Sequence, residues 1–201
     1  MEMKRLLVLL VVMILGSSFA TSPVLLHRFI VQPESTLTVA GKTNVNSFQC
    51  TTLYCGRDTL VLRESADTRP VFLKGNVQLD ASAFSCGLQL MTNDFNKTIK
   101  AKEYPAIEIE FISFEKTPVF GCAEERFKGN MKIALAGVRK AFDVNCVIEA
   151  KSNGIIYLRG NHTFTFADFN LSAPSRMMGM VKVDENLEVK FNLALKVDPN
   201  L

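Results

Sequence analysis

LEVKFNLALKV, residues 187–197, decides the fold. Leu187, Val189, Phe191, Leu193, Leu195 and Val197 are apolar, and Glu188, Lys190, Asn192, Ala194 and Lys196 fall between them. Period two is the geometry of a strand whose side chains alternate between a dry face and a wet one. The pattern recurs upstream. Ile107, Ile109 and Phe111 alternate with Glu108 and Glu110, and Met131, Ile133 and Leu135 flank Lys132. After a turn containing Gly137, Phe142, Val144, Cys146 and Ile148 alternate with Asp143 and Asn145, which makes residues 131–148 a hairpin. Shorter strands are predicted over residues 35–39 and 45–48, interrupted at Gly41, and over 59–62, 71–79, 155–158, 163–166 and 180–183. Turns are expected over residues 80–85, at Asn153 and Gly154, and over 168–174. One helix is expected, over residues 92–101, with Thr92 or Asn93 as its cap and Phe95 and Ile99 forming a thin apolar stripe. Tyr104 and Pro105 end it. Many short strands with a single helix predict an all-β antiparallel barrel.

The first residues read as an export signal rather than as structure. Lys4 and Arg5 precede the apolar run of residues 6–15, and Ser18 and Ala20 supply the small residues a signal peptidase requires. The expected division is a signal peptide over residues 1–20 and one barrel domain over 21–201. The apolar run is short for a bilayer span, and no cysteine follows it until Cys50, so neither an anchor nor a lipidated cysteine is expected. About 180 residues then remain, enough for one domain with a substantial core. The expected location is outside the cytoplasm, with the periplasm first and true secretion as the alternative.

Composition narrows the partners. The formal charge of +3 includes Lys4 and Arg5, the remainder is close to neutral, and there is no long basic run, so nucleic acid is not an expected partner. Fifteen Phe with no Trp and three Tyr fill dry space without needing hydrogen bonds. Cys50, Cys55, Cys86, Cys122 and Cys146 are the disulfide candidates; their connectivity is open, and one is left over or pairs between chains, which would give a homodimer. Only His27 and His162 are present, so the chain shows no zinc-type cluster and no cofactor is called for. Neither histidine has a nucleophile turn beside it, and Glu108 with Glu110 and Glu124 with Glu125 read as outer-face or loop charge; no catalytic residue is assigned and an enzyme is not expected. The sequons beginning at Asn96 and Asn161 matter only where a secretory pathway glycosylates.

Several stretches, in order, resemble the YceI-like family of exported, lipocalin-like, polyisoprenoid-binding proteins. Ser35, Leu37, Val39, Gly41 and residues 45–48 resemble its opening strand, and DFNKTIKAKEYPAIEIEF, residues 94–111, its helix and following strand. Residues 127–142 resemble its hairpin, FTFADFNL, residues 164–171, its strand and corner, and the final alternation its last strand. Departures are Asn170 and Ala136 where glycine is common, and Asn93 with Asp94 where an Arg-Asp pair is usual. The resemblance implies an eight-stranded antiparallel lipocalin-like barrel with one short helix, binding, storing or carrying a polyprenyl lipid or quinone in its lumen, with transient membrane contact.

The residues expected to line that lumen are Met91, Phe95, Ile99, Ile107, Ile109, Phe111, Met131, Ile133, Phe142, Val144, Phe164, Phe166, Met178, Phe191 and Leu193. The cluster Met177, Met178 and Met180 favours a ligand because thioethers adapt to irregular apolar shapes. Lys97, Lys100, Lys102 and Arg176 are the candidate head-group contacts; a solvated helix face explains the lysines equally well. The alternative is a filled barrel acting through its surface. An outer-membrane barrel is not expected, because Glu188, Lys190 and Lys196 fall on the outward face.

Overall fold

The computed structural model describes residues 25–64, 71–121, 123–176 and 178–199. The expected signal over residues 1–20, Met177 and the candidate Cys122 lie outside these. In chain order the elements are β1 (Leu25–Val31), β2 (Thr36–Lys42), β3 (Ser47–Leu53), β4 (Thr59–Glu64), β5 (Val71–Asp80), α1 (Gln89–Thr98), β6 (Ala106–Phe114), β7 (Glu125–Leu135), β8 (Val138–Ala150), β9 (Ile155–Thr165), β10 (Ser175–Arg176), β11 (Val181–Lys182) and β12 (Asn186–Val197).

The alternating strand β12 closes the structure. Along one edge it pairs with β9, from Asn186 opposite Thr165 to Lys196 opposite Ile155. Its other edge is shared: β2 pairs with residues 188–192 and β1 with residues 195–197. β1 and β2 are therefore two halves of one bent wall strand, and β4 and β3, which pair with them, form the next one. With β5, β6, β7, β8 and β9 following in antiparallel order, the wall counts eight strands when each bent pair is taken once, and it closes on itself. Eight strands leave an interior wide enough for side chains or one slender ligand.

The bends have local chemical solutions. Where β1 gives way to β2, Gln32 N–H donates to Ala194 C=O at 2.8 Å, and the fully buried Ser35 accepts Ala194 N–H on its hydroxyl at 2.9 Å. Tyr54 N–H donates to Ser35 C=O, and the buried Tyr54 hydroxyl accepts Asp58 N–H across the matching bend between β3 and β4. Burial pushes the Tyr54 phenol up to about 12, so it remains a neutral partner there. At the other corner β3 meets the segment after β5 through a bridge between Thr51 and Ser85 and a disulfide between Cys50 and Cys86.

Four local expectations change. β1 is a strand that no alternation predicts; its sequence, LLHRFIV, is apolar on both sides. Gly41 does not break its strand: it lies inside β2, opposite Phe48, whose ring fills the space a side chain would need and would come within 2.5 Å of a Cβ placed there. Phe166 leaves the strand and starts a short 3₁₀ turn, Phe166–Phe169, held by reciprocal hydrogen bonds between Thr165 and Asp168. The helix begins at Gln89, earlier than its polar caps suggest, after Gly87 turns the chain at φ 81°. Thr92 accepts Cys86 N–H instead of capping the first turn. At the far end Lys100, at φ 55°, and the bond from Ala101 N–H to Asn96 C=O close the helix as a Schellman motif.

Two substitutions test this closure. Ser35→Ala leaves the buried Ala194 N–H without its acceptor and is expected to cost about 1–3 kcal/mol in urea unfolding. Replacing Cys50 and Cys86 by Ser opens a loop with a sequence separation of 36 residues, and about 2–4 kcal/mol of stability should be lost, matched by adding reductant to the unaltered protein.

Candidate ligand-binding cavity

The barrel interior is divided. In the half that holds β1 and β4, aromatic and aliphatic side chains are closely buried: Phe114 lies edge-on to Phe127 at 4.7 Å, and Leu62, Val77 and Leu158 are almost completely buried. Phe191 forms the floor above them. It lies opposite Gly160 in the ladder between β9 and β12, where any larger residue would collide with its ring, and it meets Phe111 edge-on at 6.1 Å.

Above the floor a cavity of about 440 Å³ opens toward the helix. Native cores seldom hold a void larger than a water molecule, whereas ligand sites span about 300–1,000 Å³. Its walls come from the inward rows of the strands: Leu37 and Val39, Ile107 and Ile109, Met131 and Ile133, Val144, Phe164, and Leu187 and Val189. The lid is α1, whose Met91, Phe95 and Ile99 recur every four residues and so share one face. Several of these side chains are only half-buried despite pointing inward, because their free surface faces the cavity.

The lining contains few polar groups. His162 is on the wall, directly across from Val189, with its ring against Phe164 at 4.5 Å and Phe142 at 5.3 Å. Its ring nitrogens meet no hydrogen-bond partner among the described residues, which leaves them available to the cavity. At the rim, Arg176 of β10 donates two hydrogen bonds to the Asp94 carboxylate of α1, so the lid is tied to the hairpin of β10 and β11 by a bidentate ion pair. The two charges cancel, and Thr98 and Thr165 are neutral.

The structure places Met91, Phe95, Ile99, Ile107, Ile109, Met131, Ile133, Val144, Phe164, Phe166 and Phe191 on the cavity. Phe111 and Leu193 lie below the floor in the packed half, and Phe142 is buried against the Phe164 and Phe169 rings. Met178 is elsewhere: it is fully exposed, at φ 58° in the turn between β10 and β11. Of the four cationic candidates only Arg176 borders the cavity. Lys97, Lys100 and Lys102 are exposed: Lys97 lies on the face of α1 away from its apolar stripe, and Lys100 and Lys102 follow the end of the helix. Sequence reasoning misses His162, Leu187 and Val189, although the alternations that run through Phe164 and Phe191 point to all three.

The thiols are separate from this chemistry. Cys50 borders the cavity but is disulfide-bonded, Cys55 is exposed and unpaired, and burial pushes the Cys146 thiol up to about 12. Among the described residues no group of three or more His, Cys, Asp or Glu is placed to hold a metal ion, and no helix is long and apolar enough to cross a membrane.

No protein-family description and no curated protein matches this chain. Solved structures do. A polyisoprenoid binding domain from Saccharophagus degradans implicated in plant cell wall breakdown superimposes with a TM-score of 0.63 at 12% identity, over 85% of this chain and 98% of that one. Burkholderia cenocepacia BcnA gives 0.61 at 15% identity, over 82% and 98%. A mutant CJ YCEI protein gives 0.51 at 17% identity, over 70% and 81%. The chain has the YceI-like fold.

In this YceI-like barrel the rim beside β9 is locked by the turn Phe166–Phe169. Asp168 accepts the N–H and hydroxyl of Thr165, each at 2.9 Å, and takes a hydrogen bond from Lys140. The Lys140 contact, then the Thr165 N–H, pull the Asp168 carboxyl from 3.8 down to about 2. A carboxyl that titrates lower in the folded chain stabilises it fully above the unfolded value and ceases to do so as pH falls through the folded one. Asp168→Asn should therefore lower stability at neutral pH, by about 1 kcal/mol for the lost cap, and should flatten the fall in melting temperature between about pH 4 and 2.

Proposed function

We propose that this protein is a non-enzymatic carrier or store of one apolar long-chain lipid, of the isoprenoid or quinone class, held in the cavity beneath α1. The observation that carries the reading is the cavity itself: about 440 Å³ with an almost wholly apolar lining, beside a half of the barrel where aromatic and aliphatic side chains are buried. A protein of this composition had the Phe and Leu to fill that space, and the wall residues are instead spaced around it. Each CH₂ moved from water into such a lining is worth about 0.8 kcal/mol, so a long tail binds tightly without polar contacts.

The ligand class is supported by the fold. A polyisoprenoid binding domain is among the structures that superimpose on nearly the whole barrel. The self-neutralised Asp94 and Arg176 pair and the unpartnered His162 suit a head group that is neutral and accepts or donates a hydrogen bond. Export from the cytoplasm is part of the proposal. The Cys50 to Cys86 disulfide supports it, because such bonds persist in oxidising compartments. The filled-barrel alternative requires a lumen without room for a ligand, and the cavity weighs against it.

Native mass spectrometry of the protein from its exported fraction, with organic extraction of what it carries, tests the proposal. A stoichiometric long-chain prenyl species is the expected result; protein that arrives empty and refuses added prenols and quinones overturns it. Val189→Trp places a large ring in open space and is expected to reduce prenyl-probe affinity at least tenfold (about 1.4 kcal/mol) while changing stability little.

A further inference from the structure

Five exposed apolar side chains among the described residues lie at the open end of the cavity. Val45, in the turn joining β2 and β3, is 67% exposed. Leu88 and Leu90, at the start of α1, are 67% and 59% exposed, and Met178 and Met180, between β10 and β11, 105% and 67%. Three turns bring them together. Thr43 bridges Val183, and the Asn44 side chain donates to Met180 C=O at 2.7 Å and accepts Lys182 N–H at 3.0 Å, so the first and third turns form one rim. The ion pair between Arg176 and Asp94 joins the helix to it. Val45 and Leu88 also line the cavity, so two of these exposed side chains belong both to the rim and to the cavity wall.

We infer that this rim docks onto a lipid bilayer, seating the cavity mouth on the membrane so that an apolar ligand passes between the two without crossing water. The inference rests on the carrier reading for the ligand's passage, but the docking stands on the rim alone. Separate turn tips, each bearing one or two apolar side chains, suit a fluid surface that shapes itself around them. A protein partner of ordinary stability would need a contiguous complementary face of about 800 Å² per side. Electrostatics contributes little: Lys42, Lys97 and Lys182 are exposed near the rim but Asp184 and Glu185 oppose them, so apolar burial carries the attachment. Other exposed apolar residues lie away from this rim, among them Leu26 and Phe72, which flank Arg63 on the outer wall at the opposite end.

Flotation with phosphatidylcholine vesicles tests the docking. The unaltered protein should float with them, and raising salt from about 0.1 to 1 M should change partitioning less than twofold, although it shortens the screening length from about 10 to 3 Å. Met178→Ser with Met180→Ser, neither of which lines the cavity, should weaken partitioning at least roughly tenfold, and Leu90→Ser should weaken it further. Leu26→Ser and Phe72→Ser should leave it unchanged. Uptake of a prenyl probe delivered from cyclodextrin should be the same in the methionine variant and the unaltered protein, whereas uptake from vesicles should slow in the variant alone. No flotation, equal flotation of the methionine variant, or flotation confined to anionic vesicles and abolished by salt would overturn the inference. So would a dimer by ultracentrifugation that the methionine substitutions dissolve without any vesicle binding. Failure of the carrier reading would look different: no probe uptake by any route, with flotation still following the rim.

Discussion

Ala194 N–H, buried on β12, is where this barrel closes or fails. One strand cannot follow the curve of the wall along the whole length of β12, so the N-terminal segment breaks into β1 and β2, and each half pairs with a different part of the same edge. A break in a buried ladder strands backbone groups that would each cost more unpaired than an ordinary hydrogen bond contributes. Ser35 solves the problem by lending its hydroxyl to Ala194 and its carbonyl to Tyr54, which in turn holds the bend between β3 and β4. Two consecutive strands are thereby bent at the same level, and the ring of eight closes through β1 and β4, leaving the outer edge of β3 joined only by the bridge between Thr51 and Ser85.

Closure leaves an interior whose filling is unequal. At one end the inward positions carry Phe in mutual edge contact and are deeply buried. At the other, aliphatic side chains lie against the walls and the space between them is covered by a helix with a single apolar stripe. Gly160 sets the boundary, since only the absence of a side chain there lets Phe191 lie across the lumen as a floor. The disulfide between Cys50 and Cys86 fixes the approach to the lid at the corner where β3 lacks a ladder with β5.

The lid itself is held by less. α1 contributes no fully buried residue within its bounds, and its tie to the hairpin of β10 and β11 is a half-exposed ion pair, an interaction worth at most about 1 kcal/mol. The Phe95 ring also rests against Phe84 at 5.1 Å, and Ile99, just past the helix, is buried, so apolar contact with the barrel adds to that tie.

Alternation makes β12 and the hairpin of β7 and β8 legible in the sequence, because a strand with one wet face must repeat every second residue. The same rule contains most of the cavity wall, including His162, which shares the inward row with Phe164. β1 is not legible: LLHRFIV has no wet face to read, and only its pairing with β4 and β12 makes it a strand. Phe166 looks like the next step of an alternation, yet Thr165 and Asp168 cap a turn there, a local hydrogen-bond pattern that competes with the ladder. The lysines of the helix read equally as head-group contacts or as solvated surface, and burial of the opposite face makes them surface. An all-β barrel with an apolar interior and one amphipathic helix follows from the periodicity of single segments, and so could be read from the chain alone. That part of the lumen is a cavity, that Cys50 meets Cys86, and that Asp94 meets Arg176 at the rim became visible only once the ring had closed. Each of these depends on which distant segments the closed ring brings together, and no local pattern encodes that.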